Sequence, residues 1–160
     1  MYRIVVIGNG RAAKLVVEQI RLVAPDAAFT VFGPPLVQRE GNWFRKQLVD
    51  LRQGILATEV DRFARRVTGS DGSRTVFHRL ILTEFSSDLA RRAKLQVAQG
   101  VLVNTYMQTS DGYVYALGDS VECPAGACLG SLEDQARTIA HHIGAASPRM
   151  FVATELAPVI

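Results

Sequence analysis

Short apolar runs alternate with glycine, proline and polar residues from the start of the chain. Residues 2–7 are mostly apolar and β-branched, which is typical of a strand buried on both faces of a parallel sheet. After a glycine turn, Val16 and Ile20 recur at helical spacing, Pro25 follows, and residues 29–32 form a second apolar run. The pattern predicts one βαβ unit at the start of the chain.

The middle of the chain changes to shorter runs after Gly33, which is followed by two prolines that break the second strand. The expected elements are a loop leading to a short helix at 39–51, a strand from Glu59-Val60, a tight turn at Asp71-Gly72 and strands at 75–77 and 80–82. We expect the strands of this part to form a small antiparallel meander.

The last part of the chain predicts a short helix at 87–95, strands at 101–103 and 114–117, and a final helix that ends before Gly144. Ser131 is expected to cap that helix, with Asp134 completing a capping box. One apolar stripe supports the helix: Leu132, Ala136, Ile139, Ala140 and Ile143. The tail from 145 to 160 is apolar without a clear period and is expected to pack against the domain or a partner.

Composition limits the classes of protein that fit this pattern. The chain has 160 residues, which suits a single domain spanning 1–160, and it is 48% hydrophobic and 21% charged. It has no apolar run long enough to span a membrane, and its start does not resemble a signal peptide, so we expect a cytoplasmic protein with no membrane partner. The net charge of +3 is spread along the chain, so we expect no nucleic-acid partner.

The turn at residues 8–13 carries the first candidate chemistry, because its sequence G-N-G-R-A-A fits G-x-G-x-x-G/A between a strand and a helix. Gly8 permits the sharp turn, Gly10 lets a pyrophosphate approach the backbone, and Ala13 lets the helix pack closely on the strand. The alternative is a tight turn that binds no ligand. The context favours a Rossmann-like FAD/NAD(P)-binding domain of the α/β class, with a central parallel sheet and the small β-meander.

The helix start after that turn, at Arg11 and Ala12, directs backbone N–H groups and the positive end of the helix dipole towards a phosphate. One expected feature is missing from this nucleotide site. An acidic residue normally ends the second strand and holds the adenosine ribose, whereas this chain has Phe32 and Gly33 there. Ribose recognition must therefore use backbone, water or another residue, and a 2'-phosphorylated nucleotide stays possible.

A second motif lies at 109–119, where T-S-D-G-Y-V-Y-A-L-G-D ends a predicted strand in Gly118-Asp119. With the glycine turn, and with the stretches at 100–104 and 107–110, it resembles the FAD-dependent pyridine nucleotide oxidoreductases, especially the rubredoxin reductase and nitrite reductase branch. The resemblance implies FAD as the cofactor, with Asp119 on the flavin ribityl chain. It also implies that the helix starting at Gly130, Ser131 and Leu132 faces the flavin pyrimidine ring, and that the strand at Glu59-Val60 meets adenine.

The resemblance covers residues 1–83 and 88–144, which match the two halves of the family's FAD domain. The family's NAD(P)H-binding domain would lie between them, and no second G-x-G-x-x-G follows Gly8. The stretch at 80–85, L-I-L-T-E-F, departs from the family's Ala-Thr-Gly ending of that strand. The resemblance therefore implies a domain that does not oxidise NADH unaided.

Cys123 and Cys128 are spaced as C-x4-C, the spacing of the redox-active disulfide in some relatives. In those relatives the pair lies on the first part of the chain, so its role does not carry over. Two unpaired cysteines are the favoured interpretation, because cytosolic thiols normally stay reduced, and a redox pair beside a flavin is the alternative. We expect no metal site, because this loop offers too few ligands.

We compare three functions with these observations. The first is a flavoprotein module or subunit for electron transfer, whose uncovered flavin face requires a protein partner or a homo-oligomer. The second is a nucleotide-binding or assembly module that has lost redox activity, as the missing ribose acid and the altered strand ending suggest. The third, a small NAD(P)-dependent enzyme, lacks any positioned acid, base or substrate pocket.

Overall fold

The computed structural model describes residues 2–124 and 130–146. Its helices are α1 (Arg11–Val23), α2 (Gln38–Lys46), α3 (Ser87–Arg92) and α4 (Leu132–Ala146). Its strands are β1 (Arg3–Ile7), β2 (Ala28–Gly33), β3 (Asp50–Gln53), β4 (Ala57–Asp61), β5 (Arg66–Gly69), β6 (Arg74–Val76), β7 (Arg79–Leu82), β8 (Val101–Leu102), β9 (Val114–Ala116) and β10 (Val121–Glu122).

A five-stranded parallel sheet with the order β3-β2-β1-β7-β9 forms the centre of the molecule. Its three middle strands are almost wholly buried, which is typical of strands inside a parallel sheet. A separate antiparallel sheet, β4-β5-β6, forms the meander. The predicted α/β class, with a central parallel sheet and a small antiparallel meander, is confirmed.

The prediction for residues 80–82 was wrong in placement. They form β7, which pairs with β1 in the central sheet rather than extending the meander. Leu80, Ile81 and Leu82 are all buried, and a strand that is apolar on both faces is stabilised best inside a covered parallel sheet. The third strand of the meander is β6, and its middle strand is β5.

Strands β3, β5 and β10 were not predicted. β3 lies where a loop and a helix were expected, and its sequence, D-L-R-Q, is too polar to show an apolar run because it forms the exposed edge of the sheet. β10 is only two residues long and pairs with β8 in a minor sheet. Such short pairings are decided by tertiary contacts and leave little local pattern.

Helices α1 and α4 pack against each other, and their buried residues belong to the same hydrophobic core as those of the central sheet. The predicted capping box is present, since the Ser131 N–H donates to Asp134 Oδ2 at 3.2 Å and the Asp134 N–H donates to Ser131 Oγ at 3.1 Å. The predicted end of the helix before Gly144 was wrong, because α4 continues to Ala146. Gly144 lies inside the helix against Val23 of α1, where a Cβ would stand 3.0 Å from the Val23 Cβ.

Within the described ranges, no helix is both long enough and apolar enough to cross a lipid bilayer. The expectation of a tail packing against the domain concerns residues beyond 146, which lie outside the described part of the chain.

Candidate functional site

The glycine turn connects β1 to α1 at the carboxyl end of the central sheet. Gly8 has φ = +109°, a conformation that side chains rarely adopt, and its N–H donates to the Phe32 carbonyl at 2.8 Å. A Cβ on Gly8 would stand 2.1 Å from Thr83 Oγ1, so only glycine fits between the turn and the end of β7. The turn is thus held between β2 and β7.

Helix α1 begins directly after Gly10, whose backbone is extended and offers no side-chain cap. The first N–H groups of a helix have no partner within the helix and attract anions. Ala13 is completely buried where α1 meets the sheet, and Ala12 is partly buried, as the close packing predicted for this motif requires. The backbone of the turn therefore has the form of a phosphate-binding loop.

A carboxylate already lies at this helix start. The Gly10 N–H donates to Glu84 Oε1 at 2.9 Å, and a Cβ on Gly10 would stand 2.8 Å from the same oxygen. Glu84 lies two residues after the end of β7. The space left by the absent Gly10 side chain is thus bordered by an acidic group of the chain itself.

The backbone beside Glu84 is fixed by one acceptor, the Ile7 carbonyl at the end of β1. It accepts hydrogen bonds from the Thr83 N–H at 2.9 Å, the Thr83 hydroxyl at 2.8 Å and the Glu84 N–H at 3.1 Å. Thr83 is buried, whereas the side chain of Glu84 is exposed. Its backbone is therefore immobilised next to the turn while its carboxylate can rotate into solvent.

The end of β2 confirms that the usual ribose-binding acid is absent and shows what occupies its place. The side chain of Asn9 covers Gly33, with its Cγ 2.3 Å from where a Gly33 Cβ would stand. Asn9 is 3% exposed, and its Nδ2 donates to the Pro34 carbonyl at 2.8 Å. Phe32 is completely buried. An acidic side chain at Gly33 would displace Asn9.

A cleft of about 230 Å³ opens beside the turn. It is lined by residues from four segments: Ile7, Gly8, Phe32, Gly33, Pro34, Leu56, Ala57, Glu84, Phe85, Ser86 and Leu89. Leu56 and Ala57 at the start of β4 contribute to this wall, whereas Val60, the predicted adenine contact, is buried and does not line it. The contact of the Glu59-Val60 strand with adenine therefore stays a prediction.

The second motif lies at the same edge of the sheet. Gly118 follows β9 with φ = +96°, and its N–H donates to Gln135 Oε1 of α4 at 3.0 Å. A Cβ on Gly118 would stand 3.6 Å from the Thr83 carbonyl oxygen, so this turn and the glycine turn both border the end of β7. Asp119 is exposed beside it.

The starts of α1 and α4 are joined by Arg11, whose Nη2 donates to Glu133 Oε1 at 2.7 Å. The structure thereby brings the glycine turn, Gly118-Asp119 and the α4 start with Ser131 and Leu132 together at one end of the sheet. Hydrogen bonds from Ser131, first from its N–H, and the nearby Arg137 hold the pKa of the Asp134 carboxyl below its usual range. The first turn of α4 therefore also carries negative charge.

The cysteine prediction is corrected at one position. Cys123 is disulfide-bonded, in contrast to the expected unpaired thiol, and its sulfur lies 3.5 Å from the Val103 carbonyl oxygen. Cys128 lies outside the described residues. Among the residues that are described, no group of three or more His, Cys, Asp or Glu side chains could hold a metal ion.

Two contributors to the site, Asn9 and Glu84, were not predicted. Asn9 stands inside the glycine motif, where the pattern allows any residue, so no local signal marks it. Glu84 had a signal, since it breaks the expected Ala-Thr-Gly ending, but its contact with Gly10 joins residues 74 positions apart. That contact follows only from the pairing of β1 with β7.

No protein-family model matches the chain. Putidaredoxin reductase from Pseudomonas putida is 31% identical over 135 residues, covering 73% of this chain and 32% of that protein. The nitric oxide reductase FlRd-NAD(+) reductase of Klebsiella pneumoniae is 53% identical over 36 residues, covering 22% of this chain and 10% of that protein. The chain thus spans a third or less of the curated relatives it matches.

Among solved structures, the covalent complex of putidaredoxin reductase with putidaredoxin contains a similar chain. The two folds align with a TM-score of 0.75 at 15% identity, covering 89% of this chain and 75% of that one. In sequence and in fold, the chain is therefore related to the FAD-dependent pyridine nucleotide oxidoreductases, the family that its motifs predicted.

Proposed function

We propose that the chain is an FAD-binding flavoprotein module that transfers electrons with a protein partner. One observation carries this proposal: the glycine turn, the Gly118-Asp119 turn and the start of α4 converge on the end of β7. Ligands of open parallel sheets bind at this carboxyl edge. The related proteins are FAD-dependent reductases, which supports FAD over a mononucleotide.

The residues present fit FAD in two respects. Gly8 and Gly10 leave room for backbone approach at the start of α1, and the cleft of about 230 Å³ adjoins that turn. Asp119 would hold the ribityl hydroxyls, and the N-terminus of α4 would face the pyrimidine ring. Bound flavin supplies the electron-accepting chemistry, while these residues bind and orient it.

The proposed partner is a small redox protein. One similar structure is a reductase joined covalently to putidaredoxin, and a protein of that kind would accept the electrons of this chain. We also propose that the 160-residue chain does not oxidise NADH unaided, because only one glycine fingerprint occurs in it. Cover for the flavin would come from that partner or from a second copy of the chain.

Absorbance of the purified chain after incubation with FAD and desalting tests the proposal directly. Retained flavin gives absorbance bands at ~370 and ~450 nm, which belong to the cofactor itself. Asp119→Ala should release flavin more readily, whereas Asp26→Ala, an exposed site at the other end of the sheet, should retain it. A chain that stays colourless at millimolar FAD would exclude this function.

Anaerobic addition of NADH to the flavin-loaded chain tests the second part of the proposal. For the isolated chain, we expect the ~450 nm band of oxidised flavin to persist. The band should bleach when a separate reductase is added. Rapid bleaching by NADH alone would show that the chain reduces its own flavin.

A nucleotide-binding module without redox activity is the second candidate. Two observations favour it: Glu84 lies on the helix start that should bind phosphate, and Gly33 replaces the ribose-binding acid. ADP binding measured by calorimetry, together with a failure to retain flavin, would select this candidate over the first.

A further inference from the structure

The acidic residue at the phosphate-binding turn is the most unusual feature of the site. In this motif the glycine at the position of Gly10 normally lets a pyrophosphate approach the backbone. Here the Glu84 carboxylate lies beside the space that the missing Gly10 side chain leaves open. The hydrogen bond between the Gly10 N–H and Glu84 Oε1, at 2.9 Å, is of the kind that a phosphate oxygen would make there.

We propose that Glu84 is an internal competitor of the dinucleotide: its carboxylate caps the glycine turn in the nucleotide-free chain, and a pyrophosphate binds only after displacing it. This inference rests on the proposed function and deepens it, because it names the residue that limits affinity at that same site.

The position of the competitor is built into the fold. Three hydrogen bonds to the Ile7 carbonyl hold Thr83 and Glu84 against the end of β1, and the hydrogen bond from the Gly8 N–H to the Phe32 carbonyl holds the glycine turn against β2. Only the side-chain torsions of Glu84 remain adjustable. The backbone therefore always presents this carboxylate to the start of α1.

Displacement is physically possible because the Glu84 side chain is exposed and has no other hydrogen-bond partner among the described residues. Displacement of the carboxylate breaks its hydrogen bond with the Gly10 N–H, and a phosphate oxygen then accepts a hydrogen bond from that N–H instead. The carboxylate then stays within reach of the phosphates as a like charge, and such juxtapositions weaken binding. The guanidinium of Arg11 is paired with Glu133 at 2.7 Å rather than with Glu84.

Flavin titration of the nucleotide-free chain, followed by fluorescence, tests the competition. Glu84→Gln keeps the shape and removes the charge, and it should bind FAD about tenfold more tightly than the original chain, which is the effect of removing one like charge close to a phosphate. Glu18→Gln makes the same charge change on the exposed side of α1 and should leave the affinity unchanged.

A measurement without flavin tests the cap itself. In Glu84→Ala, the Gly10 amide proton should move upfield in the NMR spectrum and exchange faster with solvent, and the ligand-free melting temperature should fall. The same substitution should raise FAD affinity. Opposite signs for ligand-free stability and for affinity are the signature of a competitor, which a merely structural role would not produce.

The outcomes separate this inference from the proposed function. Equal FAD affinity of the original chain and Glu84→Gln would overturn the competition and leave the flavin function standing. If neither chain binds FAD, the flavin function fails, and ADP titration followed at the Gly10 amide decides the competition. Tighter ADP binding by Glu84→Gln would then support it, and equal binding would overturn it.

Discussion

Individual glycines in this structure differ in what they require. Gly8 and Gly72 both have positive φ values, +109° and +83°, but only Gly8 is also surrounded. A Cβ at Gly8 would meet Thr83 Oγ1 at 2.1 Å, whereas nothing lies within 4 Å of a Cβ at Gly72. The two positions therefore separate the cost of a backbone conformation from the cost of a steric clash.

Gly8→Ala should lower the free energy of unfolding by about 3 kcal/mol or more, because conformational strain and a clash add together. Gly72→Ala, the matched control, should cost only about 1–2 kcal/mol, since it carries the conformational strain alone. Urea denaturation of both variants measures the difference. Equal costs would mean that the contact between the turn and Thr83 is unimportant.

Tyr2 is a buried residue whose hydroxyl has no hydrogen-bond partner in the part of the chain that the structure describes. Burial raises its pKa to about 12, against a smaller lowering effect of Arg79. By contrast, the hydroxyl of Tyr115 is paired with His142 Nδ1 at 2.6 Å. The two tyrosines thus represent an unsatisfied and a satisfied buried hydroxyl in one molecule.

Tyr2→Phe should leave stability at pH 7 unchanged or raise it by up to about 1 kcal/mol, because it removes an unpaired polar group. Tyr115→Phe should destabilise by about 1 kcal/mol through loss of its hydrogen bond. The folded pKa of Tyr2 exceeds the unfolded value, so its contribution is present below pH 10 and is lost between pH 10 and 12. Tyr2→Phe should reduce that alkaline loss in urea titrations at several pH values.

At the scale of elements, the pair α1 and α4 determines the geometry of the site. The helices join the glycine turn to the Gly118-Asp119 turn through Arg11 and Glu133, and they pack closely at their other ends through Gly144 and Val23. Glycine inside a helix is unfavourable by about 1 kcal/mol relative to alanine. The presence of Gly144 inside α4 therefore indicates that close packing of α4 against α1 contributes more to stability than helix propensity at this position.

Gly144→Ala should destabilise the chain by about 1 kcal/mol despite the better helix propensity, because the added Cβ would stand 3.0 Å from the Val23 Cβ. In a Val23→Ala background the same change should be stabilising, since the space is then available. Thermal unfolding of the four proteins gives the coupling energy. Additive effects would contradict the packing argument.

Elements with a strong local pattern were predictable, and elements that depend on distant partners were not. β1, α1 and α4 carry unbroken apolar periodicity, and α4 also has a capping box, so their positions follow from neighbouring residues. β3 and β10 are polar or very short, and only their pairing partners make them strands. The same division applies within the site, where the glycine turn was predictable and the contact of Glu84 with it was not.

The arrangement of the whole molecule places every segment of the candidate site at the carboxyl edge of one parallel sheet. A ligand at that edge contacts the ends of several strands at once, and its binding stabilises the folded chain as a unit. The free energy of unfolding of the whole chain therefore reports on ligand binding at this one edge of the sheet.

If the chain binds FAD, then FAD at a hundredfold excess over its dissociation constant should raise the free energy of unfolding by about 2.7 kcal/mol. Differential scanning calorimetry at increasing FAD concentrations measures this. Riboflavin, which has the flavin ring but no pyrophosphate, should stabilise the chain far less. Equal stabilisation by riboflavin would show that the glycine turn does not hold the ligand.

The pairing of β1 with β7 has a consequence for synthesis of the chain on the ribosome. The floor of the site needs Thr83, after β7, beside Ile7 of β1, and its rim needs Glu133 beside Arg11, 122 positions later. A growing chain has made its glycine turn long before either neighbour emerges. The candidate site is therefore complete only after α4 has been made, and shortened products that end before α4 carry the glycine turn without the completed site.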